Sequence, residues 1–323
     1  MIEKKTFAVG VDVGATTIKA GIVDKKGKIL EQWTSETKAN KGPAVVMQQI
    51  ILTVDSLFKR EGNKKACFGV GVGMPGTVDP REGVVRYPPN FADWKEVQVV
   101  AGLQKAIGLP VRIENDANAA AIGEAKYGAP KTARDFLFVI WGSGVGGGVI
   151  LDRKLYRGSN GGAGEIGHIS IDYDGRQCNC GSKGCIESYI GQRYLSKRTK
   201  EILEAAPNDG FPSKIHDLVE GNLNKIEPAT ISRAAEDGDA TAIAILQEAG
   251  ELLGYALASA VNLLDVRIVV IGGGISAVPS FVYTAIENSL RSRVLKPHKP
   301  GVRVVRSELG NTAGMIGAAS LAM

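Results

Sequence analysis

Phe7-Ala8-Val9-Gly10-Val11-Asp12, Val13-Gly14-Ala15-Thr16 and Thr17-Ile18-Lys19-Ala20-Gly21-Ile22-Val23 read in succession as a buried strand, a tight turn and a second strand. The plan returns at residues 136–151. There, 136–140 is an apolar strand, Gly142-Ser143-Gly144 is a turn carrying a hydroxyl, and 147–151 is a second strand. Two openings of one design predict a duplicated α/β unit, with the boundary near Ala129-Pro130-Lys131.

The other elements fit around this repeat. Val46, Ile50, Val54, Leu57 and Phe58 give 43–60 the spacing of an amphipathic helix. Strands are predicted at 66–72, 111–114, 267–271 and 302–305. Helices are predicted at 97–107, from Asp116 to about Tyr127, and at 240–264, 280–295 and 312–322. A chain of 323 residues holds two domains with good cores, and 44% hydrophobic and 23% charged residues are ordinary for a globular protein. The net charge is +5, and its densest stretch, Arg291 to Arg306, is too dilute and too poor in aromatics for a nucleic-acid footprint. No stretch approaches a membrane span, and Met1–Thr6 carries no signal-peptide pattern, so a cytoplasmic enzyme is expected. Cys67, alone before an apolar run, reads as a small buried residue.

Three glycine clusters stand at strand ends. Asp12-x-Gly14-x-Thr16-Thr17 offers backbone N–H groups unobstructed by a Cβ, two hydroxyls, and a carboxylate able to hold Mg²⁺. An ordinary hairpin with an Asp in its turn is the plain alternative. Gly142-Ser143-Gly144-Val145-Gly146-Gly147 is the matching turn. It formally contains G-x-G-x-x-G, but a strand rather than a helix is expected after it, which argues against a dinucleotide fold. Gly272-Gly273-Gly274 has backbone able to lie flat against a nucleotide, or else marks a helix entry that needs positive φ. No phosphate-binding P-loop pattern occurs.

Asn115-Asp116-Ala117-Asn118 falls where a strand ends and a helix starts. An Asp there caps a helix well, and it also suits the acceptance of a proton from a hydroxyl attacking a phosphoryl group. Asn115 can hydrogen-bond a sugar hydroxyl. Pro88-Pro89-Asn90-Phe91-Ala92-Asp93-Trp94 is a rigid loop whose amide and indole suit carbohydrate, or whose indole anchors the loop. His168, Cys178, Cys180 and Cys185 supply three thiolates and one imidazole, the donor set of a closed structural zinc site, with Glu165 and Glu187 on its borders. His216 and His298 are expected at the surface without a role.

Together these motifs resemble the ROK (repressor, open reading frame, kinase) family of sugar kinases, and within it the bacterial glucokinases. The resemblance runs from Asp12 to the final helix, and the cysteine run through Glu187 is its most specific mark. It implies an α/β fold of the actin-like (ribonuclease H-like) ATPase type, with two domains around an interdomain cleft. The expected domains are 1–128, with a helix at about 310–323 packing back on it, and 129–309. The implied reaction is ATP-dependent phosphorylation of D-glucose at its 6-hydroxyl, with Asp116 as base. Asn90, Asn115, Asp116, Glu165, His168 and Glu187 would bind the sugar. Asp12, Gly14, Thr16, Thr17, Gly142, Ser143 and Gly144 would hold the ATP phosphates and Mg²⁺, and Gly272, Gly273 and Gly274 would lie by the adenosine. His168, Cys178, Cys180 and Cys185 would bind structural Zn²⁺. Ser143 stands where the family commonly has threonine and keeps the hydroxyl. Family habit implies a homodimer or homotetramer whose partners are the sugar and the nucleotide, not nucleic acid or a membrane. Rival readings are kinases for mannose, fructose, N-acetylglucosamine or N-acetylmannosamine. A sugar-sensing regulator of the family would need a helix-turn-helix ahead of a first strand that begins at about residue 7.

Overall fold

The structure is a computed structural model that describes residues 5–60, 64–205 and 213–323. Met1–Lys4, part of the stretch read for a signal peptide, lie outside the described residues. In chain order the strands are β1 (Phe7–Val13), β2 (Thr17–Asp24), β3 (Ile29–Glu36), β4 (Cys67–Met74), β5 (Thr77–Asp79), β6 (Val84–Arg86), β7 (Glu96–Gln98), β8 (Val111–Asn115), β9 (Phe136–Trp141), β10 (Val145–Leu151), β11 (Lys154–Tyr156), β12 (Ile268–Gly272) and β13 (Arg303–Arg306). The helices are α1 (Pro43–Arg60), α2 (Val99–Ile107), α3 (Asp116–Tyr127), α4 (Glu187–Ile190), α5 (Gln192–Ala205), α6 (Lys214–Leu218), α7 (Pro228–Glu236), α8 (Ala240–Leu264), α9 (Ser280–Arg293) and α10 (Ala313–Leu321).

The duplication read from the sequence is visible in the sheets. One has the order β3-β2-β1-β4-β8 and the other β11-β10-β9-β12-β13. Each reads third, second, first, fourth, fifth. In the first sheet β1, β2 and β3 form an antiparallel meander, and β4 and β8 run parallel to β1. In the second, β11 pairs antiparallel with β10, while β12 runs parallel to both β9 and β13. A third, small antiparallel sheet joins β5, β6 and β7.

The chain divides into two compact units. Unit 1 comprises 1–134, 148–164 and 308–323, and unit 2 comprises 135–147 and 165–307. The expected domains were 1–128 together with a helix at about 310–323, and 129–309, which put all of 129–309 in the second. The structure differs because the division falls inside β10, and 148–164 group with unit 1. Arg157 explains much of this: its guanidinium donates from Nε to Glu114 Oε2 at 2.8 Å, with a second nitrogen at 2.7 Å.

In unit 1 the alternation of β1 sorts its side chains onto two faces. Val9, Val11 and Val13 join Val46, Ile50, Val54 and Leu57 of α1 in one core. Ala8 joins Ile316 and Ala319 of α10 in another. Each fully buried Val, Ile or Leu contributes about 1.5–3 kcal/mol. α10 lies so close to the sheet that a Cβ on Gly10 would overlap the Met315 carbonyl oxygen, and one on Gly71 would overlap that of Ala318. Only glycine admits a helix backbone at that distance. In unit 2, Phe136, Leu137, Phe138, Val139 and Trp141 of β9 are all buried. The long helix α8 is capped by Asp239, which accepts from Ala242 N at 2.7 Å. Among the described residues, no helix is long and apolar enough to cross a membrane.

Candidate active site

In unit 1 the parallel register lines up the carboxyl ends of three strands. Asp12 on β1 lies beside Gly73 on β4, and Gly73 beside Glu114 on β8. Two strand spacings, about 10 Å, therefore separate Asp12 from Glu114 and the start of α3. The β1–β2 turn is closed by Gly14 N donating to Thr17 O at 2.9 Å. Thr37 braces it from outside: its hydroxyl donates to Gly14 O at 2.6 Å and its N–H to Thr16 O at 3.0 Å. Thr16 is exposed and Thr17 half-buried. Asp12 packs against the first turn of α10, where a Cβ on Gly314 would meet its carboxyl carbon at 3.0 Å. Burial holds the Asp12 carboxyl above the ordinary carboxylate range, partly offset by Lys19.

At the start of α3 the capping residue is Asn115, not Asp116. Asn115 Oδ1 accepts from Ala117 N at 3.0 Å and Asn118 N at 3.2 Å, and its Nδ2 donates to Gly76 O at 3.2 Å. The capping role considered for Asp116 thus belongs to its neighbour. Asp116 is the first helical residue, half-buried, and its Oδ1 accepts from Ala117 N at 2.8 Å. An acidic group in that position is favoured by the helix dipole. Asn90 is exposed with φ +66°. Trp94, the alternative carbohydrate contact in that loop, is buried. Its Nε1 donates to Val85 O at 3.1 Å, and its ring meets Phe91 edge-on at 5.6 Å. It anchors the loop.

The groups beneath this site have no local signature in the sequence. Glu114 is 2% exposed. One of its oxygens takes the Arg157 guanidinium, and the other accepts from Asn115 N at 3.1 Å and Asn118 Nδ2 at 3.3 Å. A buried carboxylate needs such partners. Here they fix the backbone that carries Asn115 and Asp116. Glu114 directly precedes Asn115-Asp116-Ala117-Asn118, but its partner Arg157 lies 43 residues away.

In unit 2 the β9–β10 turn is closed by Gly142 N donating to Gly144 O at 2.9 Å. A strand, β10, follows it, as expected. That strand begins at Val145, two residues earlier than expected, and Val145 N donates to Glu187 Oε2 at 2.9 Å. Gly142 also faces Gly274, whose N would lie 3.8 Å from a Cβ there. Gly273 has φ +90°, so the structural demand for glycine is real at that position. A 3₁₀ turn, Gly274–Ala277, separates the cluster from α9.

The four expected metal ligands converge. One donor atom from each of His168, Cys178, Cys180 and Cys185 lies within 4.8 Å of all the others. Cys178 Sγ is 3.8 Å from His168 Nδ1, and Cys180 Sγ is 3.6 Å from Cys185 Sγ. A tetrahedron with metal–sulfur bonds of about 2.3 Å has edges of roughly 3.7 Å. All four cysteines are free thiols, and Cys67 is buried and far outside the cluster in sequence. The donor set and spacing fit a structural zinc ion that uses His168 Nδ1. Burial and the two neighbouring sulfurs push the Cys185 thiol up to about 12, whereas the Ser182 backbone amide leads in lowering Cys180. Divalent metal binding replaces such protons. Nε2 of His168 points the other way, 3.9 Å from Glu165 Oε2. Glu165 is exposed and Glu187 half-buried.

Other expectations shift in detail. The helix expected at 97–107 starts at Val99, because Glu96–Gln98 pair with β6. His298 is not a free surface residue. Its side chain is 15% exposed, with Nε2 3.6 Å from an Asp265 oxygen.

The repeated five-stranded α/β sheets with glycine turns at their strand ends define the actin-like ATPase fold. Residues 8–323 match the ROK family, and the chain belongs to it. It is 36% identical over 317 residues to a glucokinase of Streptomyces coelicolor, covering 98% of this chain and 97% of that one. A crystal structure of a ROK family glucokinase from Streptomyces griseus, in complex with glucose and AMPPNP, superposes with a TM-score of 0.87 at 35% identity, covering 98% of both chains. The xylose repressor of Bacillus subtilis is 28% identical over 322 residues, which is 99% of this chain but 77% of the repressor.

Proposed function

We propose that the chain is an ATP-dependent kinase that phosphorylates D-glucose at its 6-hydroxyl, giving glucose 6-phosphate and ADP. The observation that carries this reading is the division of labour at the start of α3: Asn115 caps the helix, and Asp116 stands beside it as a carboxylate at a strand end. In the proposal Asp116 orients the sugar hydroxyl and accepts its proton late in an in-line transfer. Asn90 and Asn115 of unit 1, and Glu165, His168 and Glu187 of unit 2, bind the remaining hydroxyls. His168 serves the sugar through Nε2. Thr16, Thr17 and the N–H groups of the Gly14 turn, with Gly142, Ser143 and Gly144, hold the phosphates, and Gly272–Gly274 meets the adenosine. Asp12 would hold Mg²⁺, which neutralises phosphate charge when bound. Zinc at His168, Cys178, Cys180 and Cys185 would be structural, because four protein ligands leave no open position. A reducing, cytoplasmic setting keeps those thiols available.

Glucose is preferred over other hexoses because the full-length relatives at over a third identity are glucokinases. The test is ADP release across a sugar panel at fixed ATP. Glucose should give the highest kcat/KM. Preference for mannose, fructose or an N-acetylated sugar would reassign the substrate, and no turnover with any sugar would favour the regulator reading.

A further inference from the structure

The metal segment reaches the β9–β10 turn by two arms. One is Glu187, two residues after Cys185. Its Oε2 accepts from Val145 N, and it lies so near the turn that a Cβ on Gly144 would overlap that oxygen. Gly144 is absent from the positive-φ positions, so its backbone tolerates a side chain and only Glu187 forbids one. The second arm is the stretch around His168. A Cβ on the preceding Gly167 would overlap the Val145 carbonyl oxygen. Val145 is thus held at its N–H by one border of the metal segment and flanked at its carbonyl by the other. Helices α4 and α5 complete the seat: Gln192 N donates to Gly142 O at 3.0 Å, and Trp141 Nε1 donates to Ile190 O at 2.8 Å. Ile186 N donates to Ile169 O at 2.9 Å, tying the two arms together.

We infer that Glu187 is a positioning residue for the Gly142–Val145 turn, and that the metal-bound segment acts on nucleotide affinity through it as well as on the sugar. This rests on the proposed reading of that turn as a phosphate cradle. A carboxylate fixed on one N–H holds the turn in a single shape and leaves its second oxygen for another partner. Fixing the cradle beforehand removes an ordering cost from nucleotide binding.

The experiment uses the full, metal-loaded chain. Amide exchange at Val145 is followed by NMR, and binding of Mg²⁺–AMPPNP without sugar is followed by calorimetry. Glu187→Ala should speed Val145 exchange and weaken the nucleotide analogue, each by about tenfold or more, the worth of one charge-assisted hydrogen bond. Glu187→Gln, whose amide oxygen accepts the same N–H, should keep both within about threefold. Gly144→Ala should mimic Glu187→Ala and add little to it in the double variant. It carries the same test if Glu187→Ala does not fold. Chelation of the metal should raise Val145 exchange comparably. Unchanged Val145 exchange in Glu187→Ala, or lost protection without lost nucleotide affinity, overturns the inference. Unchanged exchange on chelation overturns the part assigned to the metal. A wild-type chain with a protected Val145 that binds no nucleotide overturns the proposed function and leaves the clamp intact.

Discussion

In the first sheet the strand that leads into the glycine turn ends near a carboxylate, Asp12. In the second its counterpart ends on an indole, Trp141, fully buried and hydrogen-bonded to Ile190. The two sheets share one strand order, yet their turns are secured differently. The first is braced by the neutral hydroxyl of Thr37, the second by the charged side chain of Glu187 from a cysteine-rich insert. The charged strand-end groups of the first sheet, Asp12 and Asp116, lie in unit 1, while the metal ligands lie in unit 2. The two sheets keep one strand order, while the carboxylates Asp12 and Asp116 stand in one unit and the His/Cys cluster in the other.

Substitutions can break this contrast in decreasing order of effect. Asp116→Asn should lower kcat by roughly 10²–10⁴-fold while glucose still binds. Near-normal turnover would remove the proton acceptor from unit 1. Cys180→Ser should abolish stoichiometric zinc, lower Tm by roughly 5–10 °C and weaken the sugar. Elemental analysis that finds no zinc in the wild type would undo the assignment to unit 2. The smallest effect concerns stability at Asp12. Its folded carboxyl titrates above the ordinary value of 3.8, so the folded state holds that proton more tightly. The associated stability is present below pH 3.8 and lost as pH rises through the folded value, leaving a cost at neutral pH. Asp12→Asn should therefore raise Tm at pH 7 by about 1–3 °C, lose that gain in acid, and lose activity. A lower Tm at pH 7 would show that the charge is compensated within the fold.

Much of the scaffold was legible because local pattern suffices for it. The two strand–turn–strand openings, α1 and α8 follow from apolar spacing, and the metal ligands from donor type and spacing. β3 was missed because Ile-Leu-Glu-Gln-Trp-Thr-Ser-Glu is mostly exposed and gives no continuous apolar run. β5, β6 and β7 are three residues each, too short for any period to register. The supports of the site were hidden for another reason. Arg157 meets Glu114, and Glu187 meets Val145, across 43 and 42 residues. Pairs of that separation are made by the fold and leave no trace in either stretch alone. The sequence also could not say which of Asn115 and Asp116 caps α3, since both are good caps.

The glycines of β1 and β4 that admit α10 carry a consequence for the order of assembly. Leu309, just before that helix, donates its N–H to the buried Glu124 at 2.9 Å, from 185 residues further along the chain. A ribosome therefore releases the strands of unit 1 long before the helix that covers one face of them. Until then the apolar residues that the helix helps to cover, Ala8 and Val23 among them, wait without it. The glycines set how closely the helix docks, and its late arrival leaves apolar surface exposed in the interval.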